Sequence, residues 1–268
     1  MYHRFPAGSQ LAAQCAHLKK YYRPVSLTEI GLWLRREKAI PDQTLVFTVD
    51  DGYRDFYLNT FPVLLEYSIP AIVYLATDMI DQQTCLWVDW VGILFRAANR
   101  PKSAAYETKE HLKTLPNSAR LEYLANLPAQ LGISNPPPIP EEYAPLTWDD
   151  IREMSKAGIE FGAHTKSHPI LSKLGSRDKI RDEIAGSKAR IEDEIGQPVR
   201  HFCYPNGRPC DFNADTLDVV RECGFLTAVT GEKGINFAGA DPYHLRRIHQ
   251  EPVTPVLQYA HQVAGLSR

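Results

Sequence analysis

The sequence predicts an α/β fold, in which repeated β-α units build a largely parallel sheet. Short apolar runs alternate with amphipathic stretches along most of the chain, which is typical of such units. Three of the apolar runs end abruptly in polar residues. Because the carboxyl ends of parallel strands face one common mouth, these polar residues are expected to converge there.

The first predicted helix opens with a capping box at residues 26–29 (SLTE), whose Ser and Glu side chains can bind free N–H groups. This helix is predicted to run to about Lys38. The β-branched run at residues 44–49 predicts a buried strand, which stops at Asp50-Asp51-Gly52. A helix is predicted next at about residues 54–67, and then a strand at residues 71–75.

In the second half, a helix near residues 149–157 leads through Gly158 into a predicted strand at residues 159–163. Residues 177–195 are predicted to form the longest helix, because four isoleucines form a stripe at helical spacing and Gly196 follows as a C-cap. The stripe consists of Ile180, Ile184, Ile191 and Ile195. Later strands are predicted at residues 199–203, 226–230 and 244–248.

The alternation of predicted strands and helices is interrupted between about residues 81 and 146. This stretch contains helical segments and a proline-rich run at residues 136–140, which cannot form a regular helix or a central strand. No flexible linker flanks it. We therefore interpret residues 1–268 as one domain with an insertion at about residues 81–146.

The composition argues against several classes of partner. Hydrophobic residues make up 44% and charged residues 23%, as in a globular protein with a sizeable core. The net charge of −2 gives no bulk attraction to nucleic acid or anionic membranes. No apolar run approaches the roughly 20 residues of a membrane span, and no secretion signal is visible, so a cytoplasmic location is the default expectation. The five scattered cysteines lack metal-site spacing and predict free thiols.

Two adjacent carboxylates, Asp50 and Asp51, close the first predicted strand. They are costly to ionise together unless a cation neutralises one of them. Successive strand residues point in different directions, so one carboxylate can bind a cation while the other acts as a base. A simple turn before a capped helix is the alternative interpretation of this doublet alone.

His164 and His168 have the spacing of two ligands that present neutral nitrogens to one ion. A metalloprotease of the HExxH type would need Glu at the position of Thr165. Two histidines and a carboxylate also describe a non-haem iron oxygenase site, although its HxD or HxE pair is absent. Two unrelated surface histidines are the remaining alternative.

Two segments resemble motifs of the polysaccharide deacetylases, the NodB-homology family of carbohydrate esterases. Residues 48–53 (TVDDGY) resemble the family's TFDDG motif. Residues 164–168 (HTKSH), followed by Pro169 and Leu171, resemble its HTxxH motif. The resemblance covers most of the chain in the right order, since flanking segments also agree at residues 2–4, 24–27, 69–71 and 87–89.

This resemblance implies a distorted (β/α)7 barrel of the NodB-homology type, usually with seven strands. It implies that Asp50 is the catalytic base and that Asp51, His164 and His168 bind a divalent ion, Zn²⁺ before Co²⁺. The implied substrate is an N-acetylated sugar or polysaccharide, from which the enzyme releases acetate.

The third motif departs from its usual form, RPPYG. Here residues 203–207 read CYPNG, and Cys203 occupies the place of the arginine that would hold the catalytic aspartate. The segment resembles the FAYPYG variant of one branch of the family. Tyr204 and Asn206 are then candidates for oxyanion or substrate binding, with a backbone N–H near Asn206 facing the oxyanion. A plain turn is the alternative.

The fifth motif usually contains Leu-x-His, whose histidine protonates the leaving amine. Residues 245–249 (LRRIH) resemble the LPRI form of the same branch instead. Arg247 is then expected to orient Asp50 in place of the missing arginine. His249 is the candidate acid, and an ordinary histidine at a strand end is the alternative.

Two other functions stay open. A hydrolase of the same fold can act on a cyclic imide or ureide, although such relatives often lack the full metal trio. A non-catalytic glycan-binding protein is favoured by the missing arginine of the third motif.

Overall fold

The structure is a computed structural model that describes residues 1–6, 9–35, 40–237 and 239–266. Strands and helices alternate along most of these ranges. The strands are β1 (Arg23–Pro24), β2 (Thr44–Leu45), β3 (Phe47–Val49), β4 (Ala71–Leu75), β5 (Glu160–Ala163), β6 (His201–Cys203), β7 (Thr227–Lys233) and β8 (Leu245–Arg247). The α-helices are α1 (Leu11–Tyr21), α2 (Leu27–Arg35), α3 (Phe61–Glu66), α4 (Thr77–Asp81), α5 (Trp87–Ala97), α6 (Lys102–Thr114), α7 (Asn117–Gln130), α8 (Trp148–Lys156), α9 (Arg177–Ile195), α10 (Ala214–Glu222) and α11 (Val256–Val263).

Strands β3 to β8 form one parallel sheet in the order of the sequence, curled into a half-barrel. Parallel neighbours need a crossover connection, and helices provide it between most of these strands. The remaining two strands, β1 and β2, pair in a small parallel sheet of their own. The predicted α/β class with a parallel sheet is therefore confirmed.

The main sheet has six strands within the described residues, where the family resemblance implies seven. Residues 1 and 2 lie between β3 and β8, which are the two edge strands of this sheet. Beside β3, the N–H of Tyr2 donates to the Thr48 carbonyl at 2.9 Å, and the N–H of Asp50 donates to the Tyr2 carbonyl at 3.0 Å. Beyond β8, the N–H of Gln250 donates to the Met1 carbonyl at 2.9 Å. This short segment therefore occupies the position of a seventh strand.

Most predicted strands and helices are found with shifted ends. The strand predicted at residues 44–49 is divided, because β2 pairs with β1 whereas β3 pairs with β4. Helix α2 is described as far as Arg35, and residues 36–38 of the prediction lie outside the described residues. The four later predicted strands are found as β5, β6, β7 and β8.

The helix predicted at residues 54–67 begins as a π-helix, Phe56–Thr60, and continues as α3. Pro62 lies in the first turn of α3. Proline has no N–H to donate and its ring needs space on the preceding turn, which the wider π-turn provides. Helices α1, α10 and α11 lie outside the elements predicted from the sequence.

The apolar stripe predicted for α9 faces the main core. Ile180, Ile184 and Ile191 are buried, and Ile195 packs against the same cluster. Gly196 ends the helix in the left-handed conformation with φ 64°, as predicted for a C-cap. Strand β4 is buried at all its positions, as expected for a strand covered on both faces.

Helices α5, α6 and α7 lie between β4 and β5, in the region predicted to be an insertion. Their apolar side chains form a cluster separate from the main core, which includes Leu94, Phe95, Leu112 and Leu127. The proline-rich run at residues 136–140 contains no helix or strand. The insertion therefore has a small core of its own.

Within the described ranges, no helix has both the length and the apolar composition that crossing a bilayer requires. All five cysteines are free thiols, as predicted from their spacing.

Gly162 offers a test of the packing between neighbouring strands. A Cβ atom at this position of β5 would lie 2.4 Å from Cδ1 of Tyr74 and 3.0 Å from the His201 carbonyl. We therefore expect Gly162→Ala to lower the free energy of unfolding by about 1–3 kcal/mol, measured by urea denaturation. The control is Gly92→Ala in α5, where the neighbour is the flexible Lys109 ammonium. An unchanged unfolding midpoint for Gly162→Ala would contradict this packing.

Candidate functional site

The polar residues predicted to converge lie at the carboxyl ends of the strands. Asp50 and Asp51 follow β3, His164 follows β5, and Tyr204 follows β6. Arg247 is the last residue of β8. A cavity of about 260 Å³ lies at this edge, and it is lined by Asp50, Asp51, His164, His168, Tyr204, Asn206 and His249 among others.

Asp51, His164 and His168 form a buried cluster in this cavity. Oδ1 of Asp51 lies 3.4 Å from Nε2 of His164 and 3.6 Å from Nε2 of His168. One ligand atom from each of the three residues lies within 4.8 Å of the others. The structure therefore brings the three predicted ligands together.

The two imidazoles differ in their protonation. Nδ1 of His164 lies 2.7 Å from the Cys203 carbonyl. When Nδ1–H donates to this carbonyl, the lone pair of Nε2 is directed towards Asp51. Burial, together with the neighbouring His164, lowers the pKa of His168 to about 3, so its imidazole is neutral at neutral pH. Burial lowers the pKa of His164, but Cys203 and the Asp51 carboxylate outweigh burial and raise this pKa well above its usual value, so a bound cation would replace a proton on its ring. With both imidazoles deprotonated, this trio could hold a first-row divalent cation.

The loop between the two histidines has an uncommon backbone conformation. Thr165 has φ 68° and His168 has φ 54°, both in the left-handed region that non-glycine residues rarely adopt. Glu183 of α9 holds this loop, because its Oε2 accepts the N–H groups of Lys166 and Ser167 at 2.9 Å each. Oε1 of Glu183 accepts the Ser167 hydroxyl at 2.6 Å.

Asp50 is held by a bidentate ion pair with Arg247. The two guanidinium nitrogens lie 2.6 and 2.7 Å from the two carboxylate oxygens. Nε of Arg247 donates to the Thr230 carbonyl at 2.8 Å, which fixes the guanidinium. Burial raises the pKa of Asp50, but the guanidinium outweighs burial and holds this pKa well below its usual range. Asp50 is therefore ionised and fixed in orientation.

Cys203 lies beside this pair, with its Sγ 3.5 Å from Asp50 Oδ2 and 3.2 Å from Arg247 Nη2. A small side chain at this position leaves room for the Arg247 guanidinium. The arginine that contacts Asp50 therefore comes from β8, as the sequence predicts.

Tyr204 borders the cavity, but both of its donors are used inside the fold. Its N–H donates to the Val229 carbonyl at 3.1 Å, and its hydroxyl donates to the Tyr243 carbonyl at 3.1 Å. Its ring stacks on Phe212 with 4.2 Å between centroids. The predicted substrate-binding side chain of Tyr204 is thus directed into the core.

Asn206 has free donors at the cavity. Its Nδ2 is buried without a hydrogen-bond partner, and across the described residues its backbone N–H donates to no other group. Its φ of 57° is left-handed. The next residue, Gly207, must be a glycine, because a Cβ atom at this position would lie 2.3 Å from the Gly231 nitrogen.

Two further histidines, His3 and His249, line the same cavity. His249, the predicted acid, is exposed, and its Nε2 lies 3.2 Å from the Gly231 carbonyl. His3 is closer to the carboxylate, with its Nε2 3.8 Å from Asp50 Oδ2. In the sequence, His3 stands out only as part of a flanking segment of the family resemblance. The bridge between Tyr2 and Val49 is what brings His3 here.

Comparisons of the sequence with known proteins give a matching family. The sequence model of a family described as polysaccharide deacetylase matches residues 37–228. YxkH of Bacillus subtilis (strain 168), which is named as a polysaccharide deacetylase, is 23% identical over 260 residues, or 94% of this chain and 70% of YxkH. The poly-β-1,6-N-acetyl-D-glucosamine N-deacetylase of Escherichia coli (strain K12) is 40% identical over 65 residues, or 24% of this chain and 10% of that protein.

A solved structure has the same fold. The deacetylase PplD of Streptococcus pyogenes, solved in complex with acetate, superposes with a TM-score of 0.69 and 20% sequence identity. The match covers 98% of this chain and 96% of PplD.

The Glu183 contacts predict a measurable effect on cation binding. Glutamine at this position keeps one acceptor oxygen for the two backbone N–H groups, but it loses the negative charge that strengthens these hydrogen bonds. We therefore expect Glu183→Gln to weaken Co²⁺ binding about tenfold or more, as for other partners that orient metal ligands. Titration with Co²⁺, followed by its visible absorption, measures the affinity.

Asp182→Asn is the matched control, since Asp182 is the neighbouring acid on α9 and, among the described residues, its carboxylate accepts hydrogen bonds from the Lys166 ammonium alone, the shorter at 3.2 Å. We expect its Co²⁺ affinity to stay within about twofold of the wild type, as for exposed ion pairs. Equal affinities in Glu183→Gln and Asp182→Asn would refute the role of Glu183.

Proposed function

The chain belongs to the polysaccharide deacetylase family, and on this premise we propose that it removes N-acetyl groups from a glycan by cation-assisted hydrolysis. Members of the family are hydrolytic enzymes. One observation carries the proposal: the ionised Asp50 lies in the same cavity as the cluster of Asp51, His164 and His168. The name of the E. coli relative supports an N-acetylated glucosamine polymer as the substrate class.

We assign the cation to Asp51, His164 and His168, with Zn²⁺ preferred and Co²⁺ as an alternative. Catalytic zinc usually has three protein ligands and a fourth coordination position that is open to water or substrate. When bound, the cation would polarise the acetyl carbonyl and lower the pKa of a coordinated water.

Asp50 is the proposed general base, which takes a proton from the water that attacks the acetyl carbon. Arg247 binds both carboxylate oxygens at 2.6 and 2.7 Å and thereby keeps Asp50 ionised and aligned. The backbone N–H of Asn206 is free to donate to the oxyanion that forms on the former carbonyl. The C–N bond then breaks, and acetate and a sugar amine are released.

The leaving amine needs a proton, and we assign its donor to His3 in preference to His249. Nε2 of His3 lies 3.8 Å from Asp50 Oδ2, so the two groups face the same reacting bond. Nε2 of His249 instead contacts the Gly231 carbonyl at 3.2 Å.

The other functions left open by the sequence have less support. Relatives that act on cyclic imides often lack the full trio, whereas Asp51, His164 and His168 are clustered here. The missing arginine favoured a non-catalytic relative, but Arg247 supplies the guanidinium to Asp50.

The base assignment predicts that Asp50→Asn retains the cation and loses hydrolysis by about 10²–10⁴-fold, because the base alone is removed. Acetate release from an N-acetylated oligosaccharide measures the activity, and elemental analysis after dialysis measures the cation. His164→Ala and His168→Ala should lose the cation. Near-normal turnover by Asp50→Asn would show that Asp50 is not the base. Unchanged cation content in both histidine variants would show that these histidines do not bind the cation.

The acid assignment predicts that His3→Gln lowers kcat for amide hydrolysis about 100-fold. Hydrolysis of 4-nitrophenyl acetate should change little, because its leaving group needs no proton. Asp50→Asn should lose both reactions. The matched control is His249→Gln, for which we expect less than a threefold change in amide hydrolysis. The opposite ranking of the two histidine variants would transfer the role to His249.

A further inference from the structure

The first turn of α5, at the start of the insertion, contacts both segments that carry the proposed cation ligands. Trp87 is the first residue of this helix, and its side chain contacts the backbone of His168. Asp89 contacts Tyr53, which follows Asp51 by two residues. Side chains two residues apart on an α-helix point roughly 200° apart. One helical turn therefore reaches the two ligand segments in nearly opposite directions.

Trp87 holds the carbonyl group of His168. Its Nε1 donates to this carbonyl at 2.9 Å, and no other donor within the described ranges binds the same oxygen. His168 is buried and has a left-handed φ of 54°, a conformation that persists only where the surroundings enforce it. Without the indole N–H, this carbonyl would lose its partner in a place that water hardly reaches, which is unfavourable.

The indole ring of Trp87 is held in turn by α7, another helix of the insertion. Cζ of Arg120 lies over the ring, 4.9 Å from its centroid. Arg120 is only 2% exposed, and a desolvated guanidinium is attracted strongly to the face of an indole ring. Nη2 of Arg120 donates to Asn117 Oδ1 at 2.6 Å, which orients the guanidinium. The side chain that binds the His168 carbonyl is therefore fixed by the insertion itself.

Asp89 holds the segment that follows Asp51. Its Oδ2 accepts the hydroxyl group of Tyr53, which is a buried side chain. The far end of the insertion holds the same segment, because the N–H of Leu146 donates to the Gly52 carbonyl at 2.9 Å. Asp51 also has a left-handed φ, of 76°. The backbone that presents this carboxylate is therefore held by contacts from both ends of the insertion.

We propose that Trp87 and Asp89 are positioning residues for the cation, so that the insertion is part of the cation site. The inference rests on the proposed function, which assigns Asp51 and His168 as ligands. Trp87 acts through the His168 carbonyl, and Asp89 acts through the hydroxyl group of Tyr53. Ligands that are already held in place bind more tightly, because less conformational entropy is lost on binding.

The first test measures Co²⁺ affinity by visible absorption. Trp87→Phe removes the indole N–H and keeps an aromatic ring, and we expect it to weaken Co²⁺ binding about tenfold, as for other partners that orient metal ligands. The absorption bands should shift as well, since they report the geometry of the ligands. Arg120→Met removes the guanidinium over the ring and should weaken binding in the same direction, so it provides the test if Trp87→Phe does not fold.

The contact of Asp89 is tested by a double-variant cycle. Tyr53→Phe removes the hydroxyl group that Asp89 accepts, and Asp89→Ala removes the acceptor. We expect each variant to weaken Co²⁺ binding about threefold, as for one hydrogen bond. The double variant should bind Co²⁺ no more weakly than either single variant, because both changes break the same contact. Multiplied effects in the double variant would show that Asp89 does not act through Tyr53.

Each variant has a matched control. Trp90→Phe changes the same residue type in the same helix, and the indole N–H of Trp90 has no acceptor among the described residues. Tyr57→Phe removes a hydroxyl group that donates to Glu153 at 2.9 Å, and Tyr57 does not line the cavity. Both controls should keep the Co²⁺ affinity of the wild type within about twofold. Equal affinities in Trp87→Phe and Trp90→Phe, or in Tyr53→Phe and Tyr57→Phe, would overturn the role of that side chain.

Hydrogen exchange separates the positioning role from the proposed function, because it needs neither cation nor substrate. The backbone N–H groups of residues 164, 166, 167 and 168 are all hydrogen-bonded. In the cation-free protein, we expect them to exchange about threefold faster or more in Trp87→Phe than in the wild type and Trp90→Phe. Absence of acetate release by the wild type would defeat the proposed function, whereas faster exchange in Trp87→Phe would still support the positioning role. Equal exchange in all three proteins would overturn it.

Discussion

The ion pair between Asp50 and Arg247 is the interaction on which the rest of the site depends. It joins β3 and β8, the two outermost strands of the curled sheet. Burying either charge alone would be costly, but each is paired and hydrogen-bonded, and Nε of Arg247 is satisfied by Thr230. The pair therefore holds the open edges of the half-barrel near each other and fixes the carboxylate that lies beside the proposed cation ligands. Cys203 makes this possible, because its small side chain leaves space for a guanidinium from β8.

Backbone strain is concentrated at the same edge of the sheet. Four non-glycine residues that line or support the cavity have left-handed φ angles, namely Asp51, Thr165, His168 and Asn206. Such conformations cost of the order of 1–3 kcal/mol each and persist only where the surroundings enforce them. Here the enforcing contacts come from neighbouring elements, such as the carboxylate of Glu183. The stability of the fold thus maintains the geometry of the site.

Local sequence patterns predicted the parts of the molecule that depend on local physics. The stripe of α9 and the charged end of β3 follow from side-chain periodicity and from the residues at a strand end. His3 could not be assigned in this way, because its position depends on the pairing of Tyr2 with a distant strand. The π-turn before Pro62 likewise depends on how one proline is accommodated inside a helix.

The position of residues 1 and 2 has a consequence for how the site is controlled. These residues form the seam of the barrel, with hydrogen bonds to β3 on one side and to Gln250 on the other. Tyr2 anchors the seam, because its ring stacks on Phe47 and its hydroxyl donates to Gln14. His3 is attached directly to this seam, whereas the proposed cation ligands follow β3 and β5. On the proposed assignment, loosening of the seam would withdraw His3 from Asp50, so barrel closure and leaving-group protonation would be mechanically coupled.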